Sequence, residues 1–341
     1  MKQERLAIAT LILVLVGLPL GVLGYQRVLE PTFSEIRVID IRASAPENGG
    51  FQPASIQVAA GETVRLRFHS TDVTHGIAIG PGLSIDLGQI DPGHVGEITV
   101  NFSEAGTYTY YCNTWCSADH WRMRGVIEAV DPASSGPIPT AQPDPVIAAL
   151  AAEGIDIDAS LGHTNGTEDH LPEVDFEYVP SAAHGADVVA ELQVPSELHD
   201  VSWRFSHAPA QGLEVLRANN PEVPDALLVD AIAYLWAGSA NPSAQIIDLY
   251  NKNCSACHGQ SGGGDGPAAE LTTEVPAAFS NPAYMWEMRG DVLYAKIRRG
   301  GMGTDMPNFG TLFTQQETRD LVDYLLWLAF RQAPPSRPPA P

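Results

Sequence analysis

Twelve consecutive residues, Cys112-Asn113-Thr114-Trp115-Cys116-Ser117-Ala118-Asp119-His120-Trp121-Arg122-Met123, set two thiols, an imidazole and a thioether in the pattern C-x3-C-x3-H-x2-M. A loop of that spacing can gather its donors on a metal only if a rigid scaffold grips both its ends. A second stretch, Cys254-Ser255-Ala256-Cys257-His258, has the C-x-x-C-H signature of covalent c-type haem attachment. The two motifs use all four cysteines of the chain. A chain that commits every cysteine to redox-metal motifs is suited to moving electrons.

The scaffold for the first loop is legible on either side of it. From Phe33 to Val130, short runs rich in β-branched and aromatic residues (Ser55–Val58, Thr63–Ser70, Gly76–Ile79, Gly96–Phe102 and Gly106–Tyr111) are punctuated by Gly, Pro and Asp. Closely spaced short strands of this kind predict one all-β sandwich or barrel over residues 31–131. Residues 132–242 read differently. Between Asp131 and Tyr250 there are 19 acids against two bases, Arg204 and Arg217, which predicts an acidic, partly helical linker, with helix-like pieces at Pro145–Ala152 and Asp225–Ala237. Over 243–331 the pattern is α. Ala244–Lys252 leads into the haem motif, Asp291–Arg298 is a short amphipathic helix, and Gln315–Phe330 carries Leu321, Tyr324, Leu325 and Leu328 on one stripe. The Pro-rich tail 332–341 is expected to be disordered.

At the N-terminus, Lys2, Glu4 and Arg5 precede an uncharged run from Leu6 to Gly24. As a helix it would rise roughly 28 Å, close to the thickness of a bilayer core. The expectation for residues 1–30 is a retained single-pass transmembrane anchor, with the rest of the chain on the outer side of a bacterial membrane; a cleaved signal peptide is the competing reading. The formal net charge of −22 excludes nucleic acid as a partner, because its phosphates would be repelled.

The donor set of the cysteine loop points to copper. One thiolate with imidazoles and a methionine would suggest a mononuclear blue site, but two thiolates in one loop can bridge a pair of ions. A second imidazole must come from elsewhere, and His75, in Asp72-Val73-Thr74-His75-Gly76, is the best placed. A Cys112–Cys116 disulfide is the alternative in an oxidising compartment. The segment resembles the binuclear copper A (CuA) domain of subunit II of haem–copper oxidases. Cys112 to Met123 matches that family's loop throughout, and Asp72 to Gly76 resembles its D-V-x-H-[GS]. The resemblance implies a cupredoxin-like sandwich. It also implies that Cys112 and Cys116 bridge both coppers, that His75 and His120 each ligate one, that Met123 is a weak ligand, and that Thr114 offers its backbone carbonyl. Trp115 replaces the family's usual aliphatic residue. The run Tyr110-Tyr111-Cys112, Trp115-Cys116 and Met123-Arg124-Gly125 also resembles the CuA domains of nitrous oxide reductases and CuA-containing nitric oxide reductases.

In the second motif Cys254 and Cys257 would form the thioethers and His258 the proximal ligand. Its surroundings, with Gly264-Asp265-Gly266-Pro267 downstream, resemble class I cytochrome c. Met302 and Met306 compete for the sixth position; Met306-Pro307-Asn308-Phe309-Gly310 matches the family's M-P-x-[FW]-G, which favours Met306. Met285 and Met288 are expected to pack over the haem. His69, His94, His163, His170, His184, His199 and His207 read as surface or structural residues.

Together these readings describe a membrane-anchored electron-transfer subunit with CuA and one covalent haem c. Electrons would enter from a soluble cytochrome or a quinol-oxidising complex and leave to a catalytic membrane subunit I of a haem–copper oxidase or reductase. The equivalent subunit of a nitric oxide reductase is the second reading, and a free-standing copper carrier the third.

Overall fold

The computed structural model describes residues 13–24, 36–133, 143–157, 179–238, 241–301 and 304–331. The first of these is a short apolar helical piece, Leu13–Gly24, with exposed Leu and Val side chains. Among the described residues, no helix is long and apolar enough to cross a membrane. The remainder of the expected anchor, the tail 332–341, and His163, His170 and Met302 lie outside the described residues.

The β-rich half folds as two facing sheets. One has the order β2-β1-β4-β7, from Phe51–Gln52, Arg37–Ala43, Thr63–Ser70 and Val95–Asn101. The other has the order β3-β9-β8-β5-β6, from Ser55–Ala59, Arg124–Val130, Gly106–Cys112, His75–Gly80 and Ile85–Ile90. Strand β1 runs parallel to β4, and β3 parallel to β9; the other neighbours are antiparallel. Alternation explains the layering. In β4, Val64, Leu66 and Phe68 turn inward while Arg65, Arg67 and His69 turn out. The two inner faces meet through Ile41, Leu66, Ile77, Tyr110 and Ile127, with Phe51 and Phe68 edge-on to one another. Strand β5 is buried along its whole length, because the cysteine loop covers its outer side at Gly76 and the helical half covers it at Ala78 and Gly80.

That helical half contains more than the expected cytochrome segment. Besides α1 (Pro145–Ala152) and α5 (Asp225–Ala237), both foreseen, the region expected to be partly linker forms α2 (Ala182–Val188), α3 (Val201–Ser206) and α4 (Pro209–Asn219). The C-terminal part supplies α6 (Ala244–Asn253), α7 (Ser255–His258), α8 (Pro282–Trp286), α9 (Gly290–Arg299) and α10 (Gln315–Phe330). Helix α10 starts with a capping box: Thr314 Oγ1 accepts from Glu317 N at 3.1 Å, and Glu317 Oε2 accepts from Thr314 N at 2.7 Å. Its predicted stripe of Leu321, Tyr324, Leu325 and Leu328 is buried.

One apolar cluster joins Leu228 and Ile232 of α5 to Leu293 of α9, Leu321 and Leu325 of α10, and Met285 and Trp286 of α8. The middle helices are therefore packed on the cytochrome segment. The same cluster takes in Ala78 and Tyr111 from the outer face of the second sheet. At that contact Gly80 has no room for a side chain, since a Cβ there would lie 2.1 Å from the backbone oxygen of Leu312.

Candidate redox-metal centres

Two neighbouring strands carry the first site. Strands β5 and β8 pair with Ile77 opposite Cys112, which sets His75 beside the C-terminal end of β8. The cysteine loop leaves β8 at Cys112 and re-enters the sheet at β9. Its neck is closed by Cys112 N donating to Met123 O at 3.1 Å and Asn113 N donating to Gly76 O at 3.0 Å. The loop lies so close over β5 that a Cβ on Gly76 would meet Asn113 Oδ1 at 2.2 Å and Thr114 Oγ1 at 2.3 Å.

The predicted donors converge. Single donor atoms of His75, Cys112 and Cys116 all lie within 4.8 Å of one another. Cys112 Sγ is 3.9 Å from His75 Nδ1 and 3.2 Å from the Thr114 carbonyl oxygen. Cys116 Sγ is 3.6 Å from His120 Nδ1 and 3.9 Å from Met123 Sδ. His75 and Met123 are fully buried, Cys112 is buried and Cys116 half-buried. Both cysteines are free thiols, so the disulfide alternative is not what the chain adopts. A Cys116 S–H directed at Cys112 holds the Cys112 thiol below its ordinary range, and the same pairing together with burial pushes Cys116 up to about 11. Both thiols would have to lose their protons to serve as metal ligands. Two imidazole nitrogens, two thiols, a thioether and a carbonyl gathered in one part-buried cluster form a donor set suited to copper.

A carboxylate orients the first imidazole. His75 Nε2–H donates to Asp72 Oδ1 at 2.9 Å, which leaves the Nδ1 lone pair facing the sulfurs. Burial works against the Asp72 charge. Hydrogen bonds from Asn48, His75, Ala45 and Val73 outweigh it and hold the carboxyl well below the usual carboxylate range. Asp72 lies in the sequence motif that pointed to His75, but its orienting role emerges only from this geometry. His69 and His94 stay outside the cluster: His69 Nε2 pairs with Asp40 at 2.6 Å and His94 Nδ1 with Pro92 O at 3.3 Å, both exposed.

The C-x-x-C-H segment turns at the end of α6. Cys254 and Cys257 are free, and burial pushes the Cys254 thiol up to about 12. His258 Nδ1–H donates to Ala277 O at 3.0 Å, and its ring stacks on Phe279 with centroids 4.5 Å apart. The tautomer is thereby set with Nε2 unprotonated, and burial lowers the imidazole's pKa, so the ring is kept neutral and ready to ligate. Two free thiols and an oriented neutral imidazole fit covalent haem. Met306 is half-buried against the helical core, in a loop closed by Gly301 N donating to Met306 O at 3.1 Å. Met285 and Met288 are buried in that core. Of the other histidines, His184 pairs with the buried Asp230 at 2.6 Å and His207 stacks on Trp203.

The two motif regions face each other across one interface. Arg124 Nη1, one residue beyond Met123, donates to Asn308 O at 2.6 Å, and the guanidinium lies over the Phe309 ring at 5.7 Å. On the other flank, Lys252 Nζ pairs at 2.6 Å with Asp86 Oδ2, which also accepts from Asn113 Nδ2 at 3.2 Å. At the Lys252–Asp86 contact lies an open cleft of about 710 Å³, bordered by Thr114 and Trp115 on one side and Ser255 and Ala256 on the other.

Comparison with known families accords with this division. Residues 35–127 match a family described as the cupredoxin-like domain, and residues 243–325 match one described as cytochrome c oxidase, cbb3-type, subunit III. Curated protein sequences give no match. Among solved structures, auracyanin from Roseiflexus castenholzii is 20% identical over 28% of this chain and 99% of its own, with a TM-score of 0.24. A purple cupredoxin from Nitrosopumilus maritimus is 20% identical over 27% and 97%, with a TM-score of 0.21. A heme-copper terminal oxidase dimer is 20% identical over 38% and 99%, with a TM-score of 0.23. The fold assignment rests on the family matches and the strand order. Residues 35–127 are thus similar to a cupredoxin-like domain and residues 243–325 to a cytochrome c domain of the cbb3 oxidase type, and the His75–Cys112–Cys116 cluster lies in the first of them.

Proposed function

We propose that this chain is the electron-entry subunit of a membrane haem–copper cytochrome c oxidase, taking electrons at haem c and passing them by way of CuA to a separate catalytic subunit. The observation that carries the reading is the apposition of the two motif regions, with Arg124 of the copper side hydrogen-bonded into the 306–310 loop of the haem side. In this reading Cys112, Cys116, His75, His120, Met123 and the Thr114 carbonyl would together hold the copper pair. Cys254, Cys257, His258 and Met306 hold the haem. Bound copper and haem would supply one-electron redox chemistry; the protein supplies the ligands and a set separation. The donor would be a soluble cytochrome or a quinol-oxidising complex, and the domains would lie outside a bacterial membrane, tethered through residues 1–30.

A nitric oxide reductase subunit is the second reading, favoured by Trp115 and the Met123-Arg124-Gly125 run. The active-site metal of the co-purifying membrane subunit, copper or non-haem iron, separates the two. The relay itself is tested by metal analysis with a pyridine haemochrome assay. The expected result is a binuclear copper centre and a single covalent haem per chain; a lone copper with an intense blue spectrum would rule out the relay as drawn.

A further inference from the structure

Arg124 makes two hydrogen bonds that belong to different halves of the molecule. Its Nε–H donates to the carbonyl of Trp121 at 3.1 Å, and Trp121 directly follows His120 in the copper loop. Its Nη1–H donates to the carbonyl of Asn308 at 2.6 Å, two residues beyond Met306 in the haem-side loop, and meets Asn308 Oδ1 at 3.3 Å. A single planar guanidinium therefore spans the gap between the two ligand loops, and it is fixed at its own Cα next to Met123. The fork geometry matters, because two carbonyls at a set angle are met by rigidly placed donors. The neighbouring Arg122 provides a contrast. It is exposed and pairs at 3.5 Å with Asp119 inside its own loop.

We infer that Arg124 is the positioning residue that locks the Met306 loop onto the copper loop and so sets the coupling between the two redox centres. The inference rests on the relay reading above. One electron is given up on the haem side and one accepted on the copper side, while the guanidinium keeps its charge and its protons throughout. The contact across the interface is short, and with the part-buried bond to Trp121 it runs from backbone to backbone, so it supports the separation and offers a continuous bonded route between the loops.

The test uses the full chain with its metals, in Arg124→Ala, Arg124→Lys and Arg122→Ala forms. The first readout is hydrogen exchange of segments 117–123 and 304–310, which needs no turnover. Arg124→Ala is expected to speed exchange in both segments together, and Arg122→Ala, whose contacts stay within its own loop, to leave 304–310 unchanged. The second is the intramolecular electron-transfer rate after photoreduction, with both midpoint potentials measured. Arg124→Ala is expected to slow transfer about tenfold, within the range produced by mutations along a contiguous physical network. Both potentials should stay unchanged. Arg124→Lys should fall between, since an ammonium cannot serve both carbonyls in the fork, and Arg122→Ala should match the parent. Unchanged transfer in Arg124→Ala, or a slowing fully accounted for by a shifted potential, overturns the inference. A chain that takes up neither a copper pair nor haem fails the relay reading instead, and in that case equal exchange in Arg124→Ala and the parent would still overturn the contact.

Discussion

At the scale of single residues, the copper loop was legible because its donors sit at short, fixed spacings in one stretch of chain. His75 lies 37 residues before Cys112, yet its companion motif gave it away. What could not be read was the shell behind the donors. Asp72 holds the Nε2–H of His75 at 2.9 Å and is itself held by the amides of Ala45 and Val73 and by Asn48. Such a partnership depends on how β1 and the turn before β5 come together in space. Losing the carboxylate while keeping the side-chain shape should free the His75 ring to rotate and to change tautomer. Asp72→Asn is therefore expected to weaken copper binding about 10- to 100-fold, the usual cost of removing an outer-shell partner. Competition titration with a copper chelator measures it, and an affinity equal to the parent's would show that His75 is oriented by packing alone.

Among elements, β3, β4, β5, β7 and β8 and the helices α6, α9 and α10 followed from the sequence pattern, most clearly where one face is buried. β4 alternates, and α10 has its stripe. Helices α2, α3 and α4 escaped notice for the opposite reason. They are short, α2 and α3 following Ser181 and Asp200 and α4 starting at Pro209, and lie in acidic, Gly- and Ala-containing sequence that resembles a solvated linker. Their stability comes from tertiary packing around α5, whose Leu228, Ala231 and Ile232 are fully buried. This packing has a measurable consequence. Leu228→Ala should lower the stability of the haem-bearing half by about 2–5 kcal/mol, the cost of a large-to-small change in a closed core. Denaturant unfolding followed by haem absorbance reads it. An unmoved midpoint would mean that α5 rests on the cytochrome segment without supporting it.

For the whole molecule, the question is whether the β and α halves behave as one body. Composition could not answer it: a net charge of −22 indicates a chain kept apart from other acidic surfaces but not how its own parts meet. The contacts that join the halves are few and specific. Ala78 and Tyr111 enter the helical core, Lys252 pairs with Asp86, Arg124 reaches Asn308, and the end of β5 presses on the Leu312 carbonyl. The last of these has the least slack. At Gly80 the obstacle is a backbone oxygen 2.1 Å from where a Cβ would sit, and a backbone held between Phe309 and α10 cannot swing aside as a flexible side chain could. One added methyl group should therefore lift the helical half off the sheet without touching any metal donor. Gly80→Ala is expected to split thermal unfolding by calorimetry into two separated transitions, where the docked parent shows coupled ones. It should also slow transfer between the centres, since all the other contacts across the face depend on the same seating. Gly106→Ala is the matched control: it lies on neighbouring β8, where an added Cβ meets nothing within 4 Å. If Gly80→Ala and Gly106→Ala melt alike, the halves do not close on one another at β5, and the haem segment would then be tethered beside the copper domain instead of docked on it.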